Sequence, residues 1–285
     1  MPDLALLIKT SIGRPSLLWV LNSIKFNFKN YDYRIYISDE NPLDDWKVDL
    51  YNKLTEEGHH IEVHEQGMRC GVARNLLVDH LNDEELILRM DDDFELGGEF
   101  NFEAMKEVLY VSDEIGFCSD FERQLGDNKG VKSGTIRPAG GEIIIKPSKI
   151  IKKFHSPFVQ YKKTGGFRYK TAEFTRNLLL IKREVLEKVK WDGELVFKGE
   201  HLDFMLAIRE ANYKGAYTPD SIHYHRDDLG MYKTRGEGDT SDDDLNQKMY
   251  EKVYDDKWKT NYVTTKYPMS WYGVEGLRRI SSKLY

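Results

Sequence analysis

The chain has 285 residues, enough for one large domain or two small ones, and 40% of them are hydrophobic, enough for a substantial core. A net charge of −6 with scattered lysines and arginines argues against nucleic acid as a partner. Two cysteines, Cys70 and Cys118, are too few for a cysteine metal cluster or a disulfide framework, and no apolar run approaches a membrane span.

The opening, "MPDLALLIKTSIGRP", turns polar too soon for a secretory signal and reads as a first strand over residues 5–9. A reducing cytoplasm is therefore the expected location. A helix follows over 15–26, with proline in its first turn. Next come a strand over 33–38, a helix over 44–57, a strand over 61–64, a helix over 71–81 and a strand over 86–90. This alternation predicts an α/β fold with a mostly parallel sheet and helices on both faces. Ligands of such sheets bind beyond the carboxyl ends of the strands. Three of those ends are polar here: "KTSIGR", "SDEN" and "MDDDF".

The second half is less regular. "KSGTIRPAGGEIIIKP" and "YKKTGGFRYKTAEF" read as strands broken by glycine turns, and "NLLLIKREVLEKV" as a strand running into a helix. "EHLDFMLAIREAN" has helical periodicity, "GAYTPDSIHYHRDD" reads as a turn and strand, and a helix is expected over 245–259. Neither an internal repeat nor a clean linker interrupts the chain.

In "LILRMDDDFEL" an apolar strand runs straight into Asp91, Asp92 and Asp93. A surface turn is one reading, because aspartate favours turns. A hard cation is the other, because it takes oxygen ligands at the end of a buried strand. A second run, Asp242–Asp244, has only polar neighbours and reads as a solvated loop or helix start. Other polar groups stand out. Thr10, Ser11 and Arg14 precede the first helix, and Asp39 ends the second strand. "GMRCGVARNLL" carries Gly71, Arg74 and Asn75. Glu200 and Asp203 are three apart on one helical face, and His223 and His225 share one face of a strand.

This order of motifs resembles the inverting glycosyltransferases of the GT-A fold, from about residue 5 to about residue 225. It is most similar to the group containing the ganglioside N-acetylgalactosaminyltransferases and the processive polysaccharide synthases. The resemblance implies a nucleotide-binding half over 1–95, an acceptor half with a mixed sheet over 96–226, and a charged loop and helical extension over 227–285. Thr10, Ser11 and Arg14 would meet the donor's diphosphate or base, and Asp39 its base. Gly71 would allow close approach of a ligand. Arg74 and Asn75 would bind phosphate or fix the aspartates. Asp91–Asp93 would be the DxD motif, with Asp93 the direct metal ligand, Asp91 on metal or ribose, and Asp92 in donor binding. His225 would be a further metal ligand, and Mn2+ is implied before Mg2+. Asp203 is the expected base, ahead of Glu200. The synthases carry an adjacent Glu-Asp pair, which would fall on Glu200 and His201, and there this sequence departs from them. Asn177 and Trp191 would floor the pocket.

The resulting expectation is a hexosyl- or N-acetylhexosaminyltransferase with a UDP-sugar donor and a glycan or other hydroxyl acceptor. No membrane span is expected, and peripheral association with a membrane stays open. The glycine- and charge-rich stretch over 227–244 is expected to close over the donor as a lid. Two alternatives remain: a sugar-nucleotide pyrophosphorylase, and a non-catalytic nucleotide-sugar-binding module of the same fold.

Overall fold

The structure is a computed structural model that describes residues 3–11, 15–126, 131–147, 149–156, 158–195, 199–226, 243–260 and 263–267. Arg14 and nearly all of the expected lid lie outside the described residues.

The first strand, β1 (Leu4–Lys9), is buried almost throughout, and its side chains divide by parity. Leu4, Leu6 and Ile8 join one core cluster, while Ala5 and Leu7 join the other. Successive strand residues point to opposite faces, so this sheet is packed on both sides. There follow α1 (Ser16–Asn27), β2 (Tyr33–Glu40), α2 (Asp45–Glu56), β3 (His60–His64), α3 (Cys70–Asp79) and β4 (Leu86–Asp91). All six fall close to their predicted bounds. Pro15 caps α1 from outside instead of entering its first turn. Strands β3, β2, β1 and β4 lie side by side and parallel. Val20 and Ile24 of α1 and Tyr51 and Leu54 of α2 pack in the first cluster, and Leu77 of α3 packs in the second.

The next elements were not legible in the sequence: β5 (Phe94–Glu95), α4 (Phe102–Leu109) and β6 (Ile115–Leu125). Asn101 caps α4, its side chain accepting from Ala104 N at 3.1 Å. Short strands follow: β7 (Ile136–Arg137), β8 (Gly140–Lys146), β9 (Lys149–Phe154), β10 (Lys162–Thr164), β11 (Phe167–Ala172) and β12 (Phe174–Thr175). Gly165 and Gly166, both at positive φ, turn β10 into β11.

β13 (Leu179–Lys182) lies antiparallel between β4 and β6 and leads into α5 (Arg183–Lys188). Then come α6 (Glu200–Glu210), β14 (Lys214–Arg226), α7 (Asp243–Trp258) and β15 (Val263–Lys266). β14 runs parallel to β6, giving a main path β10-β11-β14-β6-β13-β4-β1-β2-β3. A smaller sheet has the order β12-β8-β9-β15. Tyr250, Val253 and Tyr254 of α7 are buried in the second core cluster, which makes this helix integral to the core. Among the described residues no helix is long and apolar enough to cross a membrane.

Candidate active site

The three polar strand ends meet. Pairing of β1 with both β2 and β4 sets Lys9 opposite Ser38 and opposite Asp91. Thr10 Oγ1 donates to Asp92 Oδ2 at 2.7 Å, stitching the end of β1 to the aspartate run. Asp39 is buried, and its Oδ2 accepts from Lys47 Nζ at 2.7 Å and from Tyr51 OH at 2.6 Å. Its Oδ1 accepts from the Glu40 amide at 2.8 Å, and Lys47 Nζ also donates to the Ser11 carbonyl at 2.7 Å. A buried carboxylate needs such donors. They make Asp39 the hub of an internal network, where a contact with a nucleotide base had been expected.

Helix α3 presents a similar substitution of chain for ligand. A β-carbon at Gly71 would collide with the Asp192 carbonyl, so the close approach there is by the neighbouring backbone. Asn75 clasps the backbone of Trp191, donating to its carbonyl at 2.8 Å and accepting from its amide at 3.0 Å. Trp191 is buried and stacks on Phe204 with ring centroids 4.0 Å apart. Gly71, Asn75 and Trp191 thus lock α3 onto the core under α6. Arg74 has the other expected duty, fixing an aspartate. It donates to Asp91 Oδ1 at 3.1 Å and to Glu200 Oε2. Arg89, unread in the sequence and 1% exposed, reaches the same Asp91 oxygen at 2.5 Å and the Asn177 carbonyl at 2.5 Å. Burial alone would raise the Asp91 pKa, but the two guanidinium groups outweigh it and hold the carboxyl below its usual range.

Asp93 differs. It follows β4, and pairing of β5 with β14 sets Phe94 opposite His225. The Arg226 amide donates to the Asp93 carbonyl at 2.8 Å. Two residues far apart in sequence therefore converge, with His225 Nε2 3.5 Å from Asp93 Oδ2. Asp93 Oδ1 is buried and has no hydrogen-bond partner. His223 Nε2 is buried and makes no hydrogen bond either, with Glu122 Oε2 3.9 Å away, and the Phe94 ring lies 4.7 Å from the His223 ring and 5.5 Å from that of His225. Buried polar atoms are rarely left unpaired, so two orphans around one phenylalanine need a reason. The other nitrogen of each histidine is held by β6. His223 Nδ1 lies 2.6 Å from Asp120 Oδ1, and His225 Nδ1 lies 3.3 Å from Gln124 Oε1. A histidine that donates from Nδ1 keeps its Nε2 lone pair for a metal, and the Nδ1 partner fixes the orientation of its ring.

Between them on β6 lies buried Glu122, 2.5 Å from Arg137 Nη1. Burial pushes its pKa up, but Arg176, His225, Arg137 and His223 together bring it down to about 2. Asp120, Glu122 and Gln124 escaped the sequence reading. Their signal was the two-residue spacing in "SDFERQ", which matches that of His223 and His225 on the neighbouring strand.

On the far side, α6 begins at Gly199, whose positive φ suits glycine and whose carbonyl accepts from Tyr254 OH at 2.7 Å. Glu200 and Asp203 share the first turn but have different partners. Asp203 is fully buried and accepts from Lys257 Nζ at 3.0 and 3.1 Å and from Trp258 Nε1 at 2.8 Å. Burial raises its pKa, against the pull of Lys257 and Trp258. Glu200, 4% exposed, pairs with Arg74, and its Oε1 lies 3.3 Å from His201 Nε2. The His201 side chain is 32% exposed, so it is the accessible member of this pair. Burial first, then Arg89 and Arg74, hold its imidazole well below its ordinary pKa and therefore neutral.

No family model and no curated protein matches the chain in sequence. Solved structures do match in fold. GalNAc-T7, in a structure with UDP, GalNAc and Mn2+, superposes with a TM-score of 0.60 at 16% identity, covering 79% of this chain and 44% of that one. S. aureus TarS superposes with a TM-score of 0.49 at 14% identity, covering 78% of this chain and 36% of that one. A shorter TarS structure gives the same score at 12% identity, covering 88% and 72%. The chain thus spans less than half the length of GalNAc-T7 and of the longer TarS structure. The mixed α/β architecture of this chain, with its largely parallel central sheet, is the one it shares with GalNAc-T7, the GT-A fold.

Proposed function

We propose that the chain is a metal-dependent, inverting glycosyltransferase that moves a sugar from a nucleotide sugar, first of all a UDP-sugar, to a hydroxyl of a glycan or similar acceptor. The observation that carries this reading is the pairing of Asp93 with His225 beyond the end of β4, with a buried Asp93 oxygen left without a partner. Those residues fit a divalent cation. One carboxylate and one imidazole suit Mn2+ better than Mg2+, which prefers oxygen alone. Bound there, such a cation would offset the negative charge that grows on the leaving diphosphate.

The residues of the chain divide the remaining work. Gln124 and Asp120 hold the two histidine rings in place. Asp91 is already balanced by Arg74 and Arg89, so we assign it to the donor's ribose hydroxyls and leave the cation to Asp93 and His225. Asp92 and Thr10 brace the loop between them. Proton removal from the acceptor goes to the Glu200–His201 pair. His201 is the partly exposed, neutral imidazole that can touch the acceptor, and Glu200 orients it from behind as a carboxylate orients a catalytic histidine. Asp203 holds α7 in place through Lys257 and Trp258.

The test is a panel of nucleotide sugars incubated with Mn2+ and a mixed set of glycan acceptors, read as released nucleoside diphosphate. Metal-dependent release, stimulated by one acceptor, is expected, and the anomeric configuration of the product reports inversion. Neither release nor Mn2+-dependent nucleotide binding anywhere in the panel would overturn the proposal.

A further inference from the structure

A second group of metal-ligating side chains lies away from the aspartate run. His60 and Glu62 are two apart on β3, so they project from the same face of this edge strand. His80 is the C-cap residue of α3. The fold brings the three together. Glu62 Oε2 is 3.4 Å from His60 Nε2 and 3.5 Å from His80 Nε2, and the rings of His60 and His80 have centroids 4.2 Å apart. Among the described residues, these supply three histidine, cysteine or carboxylate ligand atoms that all lie within 4.8 Å of one another.

The spacing is not that of ordinary hydrogen bonding. His60 Nε2 is buried and makes no hydrogen bond, although a carboxylate oxygen stands beside it. Two imidazole nitrogens converge on a single carboxylate oxygen. Metal–ligand bonds of about 2.0–2.1 Å in a tetrahedron place neighbouring ligand atoms about 3.3 Å apart, close to the two separations found here. The C-terminal end of α3 carries the negative end of the helix dipole, which favours a cation beside His80.

We infer that His60, Glu62 and His80 form a second metal site, for a zinc-like divalent ion that accepts two imidazoles and a carboxylate and keeps a further position for water. Two imidazoles favour Zn2+, Co2+ or Ni2+ over Mg2+ or Ca2+. The ion would tie edge strand β3 to the end of α3, the helix whose middle carries Arg74 and Asn75. It is a clamp on the scaffold of the candidate active site and is distinct from the Asp93–His225 pair.

The test uses the full chain, stripped with a chelator and titrated with Zn2+ in calorimetry and with Co2+ in visible absorption. Asp93→Ala serves as the background, so failure of the active-site reading and failure of this one are distinguishable. We expect Asp93→Ala to bind one Zn2+, to rise in Tm when it binds, and to give the intense visible bands of tetrahedral Co2+. Even changes to residues that only hold a ligand in place cost metal sites about ten- to a hundredfold, so adding His80→Ala should weaken Zn2+ binding by about a hundredfold or more and abolish the Tm rise. Glu62→Gln should do the same. The His80 side chain is 46% exposed at the end of α3, so its loss should leave the fold intact. Unchanged Zn2+ affinity in His80→Ala, or loss of all Zn2+ binding in Asp93→Ala alone, would overturn the proposal.

Discussion

Asp91 and Asp93 leave the same strand end two residues apart, yet their surroundings are opposite. Asp91 lies between two arginines and, through Arg74, is linked to Glu200 on α6. Two carboxylates and two guanidinium groups make that cluster neutral without any ligand. Asp93 has a histidine nearby and a buried oxygen with no donor. A balanced cluster stabilises the fold as it stands, whereas an unbalanced one is completed by something that binds. The chain turns after Asp91, the last residue of β4, so Asp91 and Asp93 are held by opposite flanks of the site: α3 and α6 on one side, β5 and β14 on the other.

The largest effect should come from breaking the balanced side. Removing one partner of a buried ion pair leaves an uncompensated charge and typically costs roughly 3–5 kcal/mol. Arg74→Ala strands Glu200 and leaves Asp91 to Arg89 alone, so urea unfolding should show a loss of that order. Asp93→Ala should leave stability within about 1 kcal/mol, because it removes a group that was already unsatisfied, while Mn2+-dependent binding of UDP in calorimetry disappears. Equal stability losses in the two variants would erase the distinction between the two aspartates.

The same contrast recurs one helical turn apart on α6. Losing a positioned general base lowers the rate by roughly a hundredfold to ten-thousandfold. His201→Ala should fall in that range with donor affinity unchanged, and Glu200→Gln should also slow turnover and shift its pH profile. Asp203→Asn should keep turnover within about threefold of the unaltered chain but lower stability by about 1–3 kcal/mol, the cost of weakening charge-assisted hydrogen bonds. Turnover and stability measured on one set of variants decide the point. A large rate loss in Asp203→Asn without loss of stability would return the base to Asp203.

How much of this was legible depends on how local each signal is. Strands β1 to β4 are short apolar runs ending in polar turns, so they and their helices were readable. β6 was not, because Asp120, Glu122 and Gln124 interrupt its apolar pattern with groups that face His223 and His225. The motif around Gly71 and Asn75 picked out α3, where both residues contact the backbone of Trp191 and Asp192. A glycine that admits a ligand and one that admits a neighbouring carbonyl have the same sequence. Arg74 and Glu200 are 126 residues apart, and nothing in spacing alone could pair them. Lys257 and Trp258, the partners of Asp203, belong to a helix the sequence placed in a C-terminal extension.

The smallest effect sharpens the comparison from the side of pH. Glu122 neighbours the histidines of the unbalanced cluster but is itself compensated, by Arg137 and Arg176. Its pKa of about 2 in the folded chain lies below the ordinary glutamate value of 4.5. A carboxylate depressed by folding contributes stability that is fully present above its unfolded pKa and is lost as pH falls through the folded one. The contribution is therefore intact at pH 6 and declines between about pH 4.5 and about pH 2. At 1.36 kcal/mol per pKa unit it amounts to about 2–4 kcal/mol. Other depressed carboxylates, Asp91 among them, shape the same acid limb, so the informative quantity is the difference between the unaltered chain and Glu122→Gln. That difference should be largest at pH 6 and shrink towards zero near pH 2.5 in urea unfolding at each pH. A difference that stays constant across this range would mean that Glu122 is not compensated by its arginines, and that the balanced arrangement stops at Asp91.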